Sequence, residues 1–243
     1  MGRITEVIKH LIILNVLFFI APQFLQGVDF GKLFALYFPK NPHFGFWQYL
    51  SHIFMHGGFS HILFNMYGLW AFGTPLEQIW GKNKFLFFYF SAGIGAGLIY
   101  SAVNYYQFQG IYEQLLQIGL SSSEIQEMLD TGRYNNALVT LSPEVLSEFY
   151  SLYHTPAVGA SGAVYGVLVA FGMLFPNAKL ALIFFPVPIA AKYFIPVMIL
   201  GDLFFGVTKY SIGNIAHFAH VGGALIGFII AWYWKQNQFN RWN

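Results

Sequence analysis

Several polar side chains that could do chemistry in this sequence stand inside otherwise apolar stretches. His61 and Asn65 are four residues apart, Ser161 and Tyr165 are four apart, and His220 precedes Gly223 and Gly227 at helical spacing. Residues three or four apart share a helix face, so each set predicts one face of one helix. A serine hydroxyl is a weak nucleophile until a base takes its proton. His220 is the candidate base and, later, the acid for a leaving amine; on spacing alone His217, one turn earlier, competes with it. A tetrahedral intermediate needs donors aimed at its oxyanion. The Asn65 amide, a ring N–H of His61 and the backbone N–H of Ser161 suit that task. Tyr165 is placed to pack against the imidazole. No carboxylate stands obviously beside the base, which predicts a serine–histidine dyad rather than a triad.

These groups need helices that approach one another closely. Gly162 with Gly166, and Gly223 with Gly227, are small-xxx-small pairs, which let helix backbones touch. The surroundings say what solvent those helices face. The 243 residues are 56% hydrophobic and 9% charged, whereas ordinary globular domains are about 25% charged. A bilayer as solvent accounts for that deficit. The chain has no cysteine, which excludes disulfides and thiolate metal sites. The formal net charge of +2 is too small to suggest a nucleic-acid partner.

A span needs about 20 apolar residues, and about six stretches come near that length: 8–25, 59–79, 85–105, 157–175, 194–207 (shorter and with its bounds least fixed) and 215–234. The first, with Arg3 and Lys9 at its start, resembles a signal-peptide core, but no small-x-small cleavage site comes after it, so it reads as an uncleaved span. Pro186 and Pro188 break any helix between the fourth and fifth spans, placing 179–192 in a loop or at the interface. With both termini cytoplasmic, Arg3, Lys9, Lys82, Lys84, Lys179, Lys192, Lys235 and Arg241 lie inside, against Lys32, Lys40, Arg133 and Lys209 outside. That bias fits the positive-inside rule. Spans two, four and six then enter from one side. Ser161 lies about four residues into its span and His220 about five, roughly 6–8 Å deep. A serine, a histidine and the His61/Asn65 pair are therefore expected at similar depth near the outer face.

Residues 107–156 differ from the rest, with six acids (Glu113, Glu124, Glu127, Asp130, Glu144 and Glu148) against Arg133. Ser121 with Glu124 reads as a capping box, and Ser142 before Pro143 as an N-cap with proline at N1. Ile118, Ile125, Met128 and Leu129 are spaced for one apolar face. The segment is expected to be an outer, extramembrane insertion of short amphipathic helices, a solvated module before it is a substrate-steering one. Asp202, an acid within the fifth span, reads equally as functional or as a local partner.

The runs His61-Ile-Leu-Phe-Asn65, Gly159-Ala160-Ser161-Gly162 with Tyr165, and Ala219-His220-Val221-Gly222-Gly223 resemble, in order, the three signature motifs of rhomboid intramembrane proteases. The resemblance covers about residue 46 to the end of the sixth span. It implies a six-helix, all-α membrane bundle forming a single domain over 1–243, with the acidic insertion at 107–156 within it. It implies Ser161 as nucleophile, His220 rather than His217 as base, and His61, Asn65 and the Ser161 amide as oxyanion donors. His56 would be the outer histidine before the HxxxN pair, structural or gating; His217 would be a supporting residue, and Glu77 a structural acid. The implied activity is serine endopeptidase action on transmembrane segments of other proteins, with an inactive scaffold that binds membrane clients as the alternative. The partners implied are transmembrane substrates and the lipid bilayer, with no cofactor. A metal site is disfavoured, because there is no H-E-x-x-H and carboxylates near the cluster are few. The expected location is multi-pass in a bacterial inner membrane. One departure is that Gln48 follows Trp47 where many rhomboids carry Trp-Arg, which weakens any role for an arginine fastening the first outer loop.

Overall fold

Long apolar runs without charge interruption leave the backbone one way to satisfy its polar groups in lipid, namely within helices. The structure, a computed structural model, follows that rule and describes residues 3–25, 27–133, 141–182, 185–208 and 216–239. Lys209 and Arg241, used in the charge count, and residue 215, the expected start of the last span, lie outside the described residues. The first long helix is α1 (Glu6–Phe24). Short helices α2 (Phe30–Phe34) and α3 (Gln48–Ser51), and a 3₁₀ turn at His52–Phe54, follow in the connection to the next long helix. Then come α4 (Phe59–Gly68), a π-helical turn (Leu69–Gly73) and α5 (Thr74–Trp80). Pro75 cannot donate to the carbonyl four residues back, and the ladder widens just before it. Beyond lie α6 (Lys82–Gln117), α7 (Ser122–Thr131), α8 (Pro143–His154) and α9 (Ser161–Leu174). The chain ends with strands β1 (Lys179–Leu182) and β2 (Phe185–Ala190), then α10 (Ala191–Val207) and α11 (His217–Phe239).

Among the described residues, three helices are long and apolar enough to cross a membrane: α1, α6 and α11. Their outer faces are apolar. Leu17 and Phe24 on α1, Phe87 and Leu98 on α6, and Phe228 and Trp232 on α11 are exposed, which suits a multi-pass membrane protein rather than one surrounded by water. A central core joins Ile8 and Leu11 of α1, Ile53, Leu69, Leu76, Phe85, Phe88 and Tyr89, and Val167 of α9. Val169 and Phe171 pack with Ile195 and Ala224, linking α9 to α10 and α11.

The structure adjusts four expectations. The fold is predominantly helical but not all-α: β1 and β2 form an antiparallel hairpin where only a loop was expected. The paired residues, Lys179 with Ala190, Leu180 with Ile189 and Leu182 with Phe185, leave both prolines out of the pairing, as a residue without an N–H requires. Helix α6 runs past residue 105, through Gly110, to Gln117, because no proline intervenes, and it ends just before Gly119, which turns at φ +98°. At about 54 Å it outreaches a hydrocarbon core of about 30 Å. Residues 107–117 thus continue a helix rather than open a separate module. Its far end joins α7 and α8 in a second core of Phe108, Ile111, Leu115, Ile125, Met128, Leu129, Leu146 and Phe149, with Ile118 packed against it. The capping box at Ser121 and Glu124 and the Ser142 N-cap before Pro143 both form as the sequence predicts. Finally, α9 starts at Ser161 and not at 157.

Glu77 joins α5 to the start of α1. Its carboxylate accepts hydrogen bonds from the Thr5 hydroxyl and from Val7 N and Ile8 N at 3.1 Å each. The first N–H groups of a helix have no intrahelical acceptor. Here a buried carboxylate from α5 satisfies those of α1.

Candidate active site

Two glycines set how closely α9 and α11 meet. A Cβ built on Gly223 would fall 1.9 Å from the Gly162 carbonyl oxygen, and one on Gly162 would fall 2.5 Å from Ala96 Cβ on α6. The two backbones are therefore in direct contact, as the small-xxx-small spacing predicts. Ser161 at the head of α9 and His220 in the first turn of α11 sit one step from that contact. His220 Nε2 lies 2.8 Å from Ser161 Oγ.

Ser161 is the first residue of its helix, so the expectation that it lies four residues inside is corrected. The segment before it is extended: Leu36 N bonds Ala157 O at 2.9 Å, and Ala157 N bonds Leu36 O at 2.8 Å. Gly159 then turns at φ +126°, and its N–H donates to His52 O at 2.9 Å. The first regular helical bond of this turn runs from Val164 N to Ala160 O. The N–H groups of Ser161, Gly162 and Ala163 precede it and point out of the helix N-terminus, where partial positive charge gathers.

His220 has a carboxylate beside it, where the sequence pointed to a dyad with no acid partner. Asp202 Oδ1 on α10 accepts from His220 Nδ1 at 3.1 Å and from His217 Nδ1 at 2.6 Å, and Oδ2 accepts the Tyr165 hydroxyl. Asp202 and His217 are buried. The Tyr165 ring stacks on the His220 ring, with centroids 4.3 Å apart and planes 12° apart. Tyr165 thus packs on the imidazole as expected, and it also holds the acid. His217 packs against Phe205 and bonds to the carboxylate. Sequence spacing missed Asp202 because it stands 18 residues before His220 on another helix. Its one visible signal was an acid inside an apolar span.

On α4, Gly57 N donates to His61 Nδ1 at 3.4 Å. A neutral imidazole accepts at one nitrogen and donates at the other, so His61 Nε2 carries the proton. A Cβ on Gly159 would meet that Nε2 at 2.7 Å and Ser161 Oγ at 3.7 Å. The His61 donor therefore faces the strip of backbone leading to Ser161. Asn65, one turn below and buried, donates Nδ2 to His61 O at 3.0 Å and keeps a second N–H. His56 packs edge-on against the His61 ring at 5.1 Å. His52 lies in the connection between α1 and α4, where burial holds its imidazole down at about 4.

Gln48 replaces the absent arginine as a fastener. Wholly buried, it donates to Lys32 O at 3.0 Å and His43 O at 2.8 Å, and it accepts from Tyr37 N at 3.1 Å. One side chain so ties together three points of the loop that, through Leu36 and His52, braces residues 157–159.

Asp202, His217 and His220 also bring three potential metal-ligand atoms within 4.8 Å of one another. Their spacing is that of hydrogen bonds. Two ligands on one tetrahedral zinc, each at roughly 2.0–2.1 Å, stand about 3.3 Å apart, whereas His217 Nδ1 and Asp202 Oδ1 are at 2.6 Å.

Comparison with known proteins agrees with the motifs. The profile of the Rhomboid domain family matches residues 43–237. Rhomboid protein 1, mitochondrial, of Saccharomyces cerevisiae is 28% identical over 182 residues, covering 74% of this chain and 39% of the yeast protein. Rhomboid protease GluP of Bacillus subtilis is 27% identical over 186 residues, 76% of this chain and 25% of that protein. The human presenilin-associated rhomboid-like protein, mitochondrial, is 31% identical over 189 residues, 74% of this chain and 35% of that protein. The matched regions thus span a quarter to two fifths of these relatives' own length. Because mitochondrial proteins stand among them, the expected bacterial inner membrane gains no support.

Proposed function

The chain belongs to the rhomboid family, and from that premise we propose that it is an intramembrane serine endopeptidase that cuts other proteins in or near their transmembrane segments. The observation that carries the proposal is the 2.8 Å contact between Ser161 Oγ and His220 Nε2 at a glycine-lined helix crossing. Geometry of this kind is what proton transfer from a serine requires. Ser161 attacks the scissile carbonyl while His220 Nε2 takes its proton. The tetrahedral oxyanion is met by the Ser161 N–H at the head of α9, the Nε2–H of His61 and the free N–H of Asn65. His220 then gives its proton to the leaving amine, and water hydrolyses the acyl-enzyme with the same imidazole as base.

In this reading the bundle has six spans: α1, the unit made of α4, the π turn and α5, and then α6, α9, α10 and α11. The far end of α6 with α7 and α8 forms the acidic module outside the bilayer. The substrate is membrane-embedded because the site lies among helices whose outer faces are apolar.

The test is labelling by a fluorophosphonate probe of the wild type beside Ser161→Ala and His220→Ala, together with cleavage of a single-span peptide carrying a fluorophore and a quencher. The wild type is expected to label and cleave, and both variants to lose both signals. A folded wild type that does neither would favour the client-binding scaffold; persistent labelling of Ser161→Ala would remove the nucleophile assignment.

A further inference from the structure

Five polar side chains from three helices, Ser161, Tyr165, Asp202, His217 and His220, converge where a dyad would need only two. We infer that Asp202 completes the catalytic arrangement as a positioning residue, fixing the tautomer of His220 and compensating the charge that forms on it. The inference rests on the serine-protease reading above.

An ionised carboxylate accepts hydrogen bonds and donates none. With Asp202 Oδ1 facing His220 Nδ1 at 3.1 Å, the neutral imidazole keeps its proton on Nδ1. Nε2 is left with a lone pair, and Nε2 is the atom 2.8 Å from Ser161 Oγ. The opposite tautomer would point an N–H at the serine and leave two lone pairs facing each other across the Asp202 contact. The carboxylate therefore selects the form able to act as base. When Nε2 takes the Ser161 proton, the ring becomes an imidazolium carrying both N–H groups. The Nδ1 proton stays on nitrogen beside Asp202, and the Nε2 proton goes on to the leaving amine. No proton passes to the acid.

The acid is itself held from three directions. His217 Nδ1 donates to Oδ1 at 2.6 Å and the Tyr165 hydroxyl donates to Oδ2, while the Tyr165 ring lies flat on the His220 ring. Tyr165 and His217 thereby hold the carboxylate against His220 Nδ1. A carboxylate serving only to tie α10 to α11 has no need of the imidazole of His220, because His217 already provides that tie. The second contact, to the ring that touches the serine, is what a purely structural role leaves without a use.

The experiment uses the full chain in liposomes, with the quenched single-span peptide and the fluorophosphonate probe. Asp202→Asn keeps size and shape but can turn its NH₂ toward Nδ1, which favours the wrong tautomer. The equivalent change in a soluble serine protease lowers kcat by roughly 10⁴-fold. The expectation here is a fall in kcat, and in the probe-labelling rate, of about 100-fold or more, with KM and the melting midpoint near wild type. Independently, ¹⁵N-histidine NMR of the wild type, assigned by the signal lost in His220→Gln, is expected to show His220 protonated on Nδ1 and bare on Nε2. A kcat for Asp202→Asn within about threefold of wild type overturns the inference. So does a loss confined to KM, or a neutral His220 protonated on Nε2. If Asp202→Asn does not fold, the wild-type tautomer decides alone. A wild type that neither labels nor cleaves instead overturns the protease reading, which keeps the two failures distinct.

Discussion

Replacing Gly223 by alanine would add a single methyl group at the place where α9 and α11 touch. The new Cβ would lie 1.9 Å from Gly162 O, 2.6 Å from Gly162 C and 3.0 Å from Gly162 Cα. All three are backbone atoms of a helix, so no side chain can swing aside. Ordinary contact for such atoms begins near 3.4 Å, so the helices must part locally by roughly 1.5 Å. Carried to the adjoining turn, that shift lengthens the 2.8 Å Ser161–His220 pair to about 4 Å, beyond hydrogen-bond reach. A misplacement of about 1 Å in a reacting pair can cost 10²-fold in rate, so kcat is expected to fall by about 10²-fold or more. Overpacking adds about 1–3 kcal/mol of destabilisation, which lowers the melting midpoint without unfolding the bundle. The assay is turnover of the quenched single-span peptide, normalised to folded protein, with melting read alongside. Gly110→Ala on α6 is the control, since its Cβ meets nothing within 4 Å among the described residues; it should behave as wild type. A Gly223→Ala protein with wild-type kcat would refute the claim that this crossing sets the serine–histidine distance.

Three further outcomes follow from particular contacts. Gly159→Ala must adopt φ +126° and place its Cβ 2.7 Å from His61 Nε2; with His61 as the proposed oxyanion donor, its displacement should lower kcat by about 10²-fold, measurable with the same peptide. Glu77→Leu strands Val7 N, Ile8 N and the Thr5 hydroxyl, and should cost about 2–3 kcal/mol in reversible unfolding while kcat/KM of the folded protein stays near wild type. Glu124, held below the ordinary carboxylate range by the Ser121 hydroxyl and then by its backbone N–H, stabilises the start of α7 when ionised. Its folded value is depressed, so the benefit is present above the unfolded value of 4.5 and is lost as pH falls through the folded value. Hydrogen-exchange protection in α7, corrected for intrinsic rates, should therefore drop below about pH 4.5, and protection that is flat across that range would contradict the assignment.

The features legible in the sequence are those written into short stretches of it. Four-residue spacing put His61 with Asn65 and Ser161 with Tyr165 on common faces, and the glycine pairs announced a close crossing, because a helix repeats its faces every three or four residues. The caps at Ser121 and Ser142 were readable because their partners lie three residues away. The scarcity of charge marked the membrane, since solvent acts on every residue alike. Other features needed the fold. Glu77 serves a helix some 70 residues distant. Gln48 gathers backbone groups from Lys32, Tyr37 and His43 that no periodicity connects. Ser161 stands at a helix N-terminus because Ala157 pairs with Leu36, a contact across more than a hundred residues. Asp202 meets His220 because α10 packs beside α11. A side chain's chemistry is a property of its own residue, whereas the proton it can share depends on which distant residue the folded chain sets within about 3 Å of it.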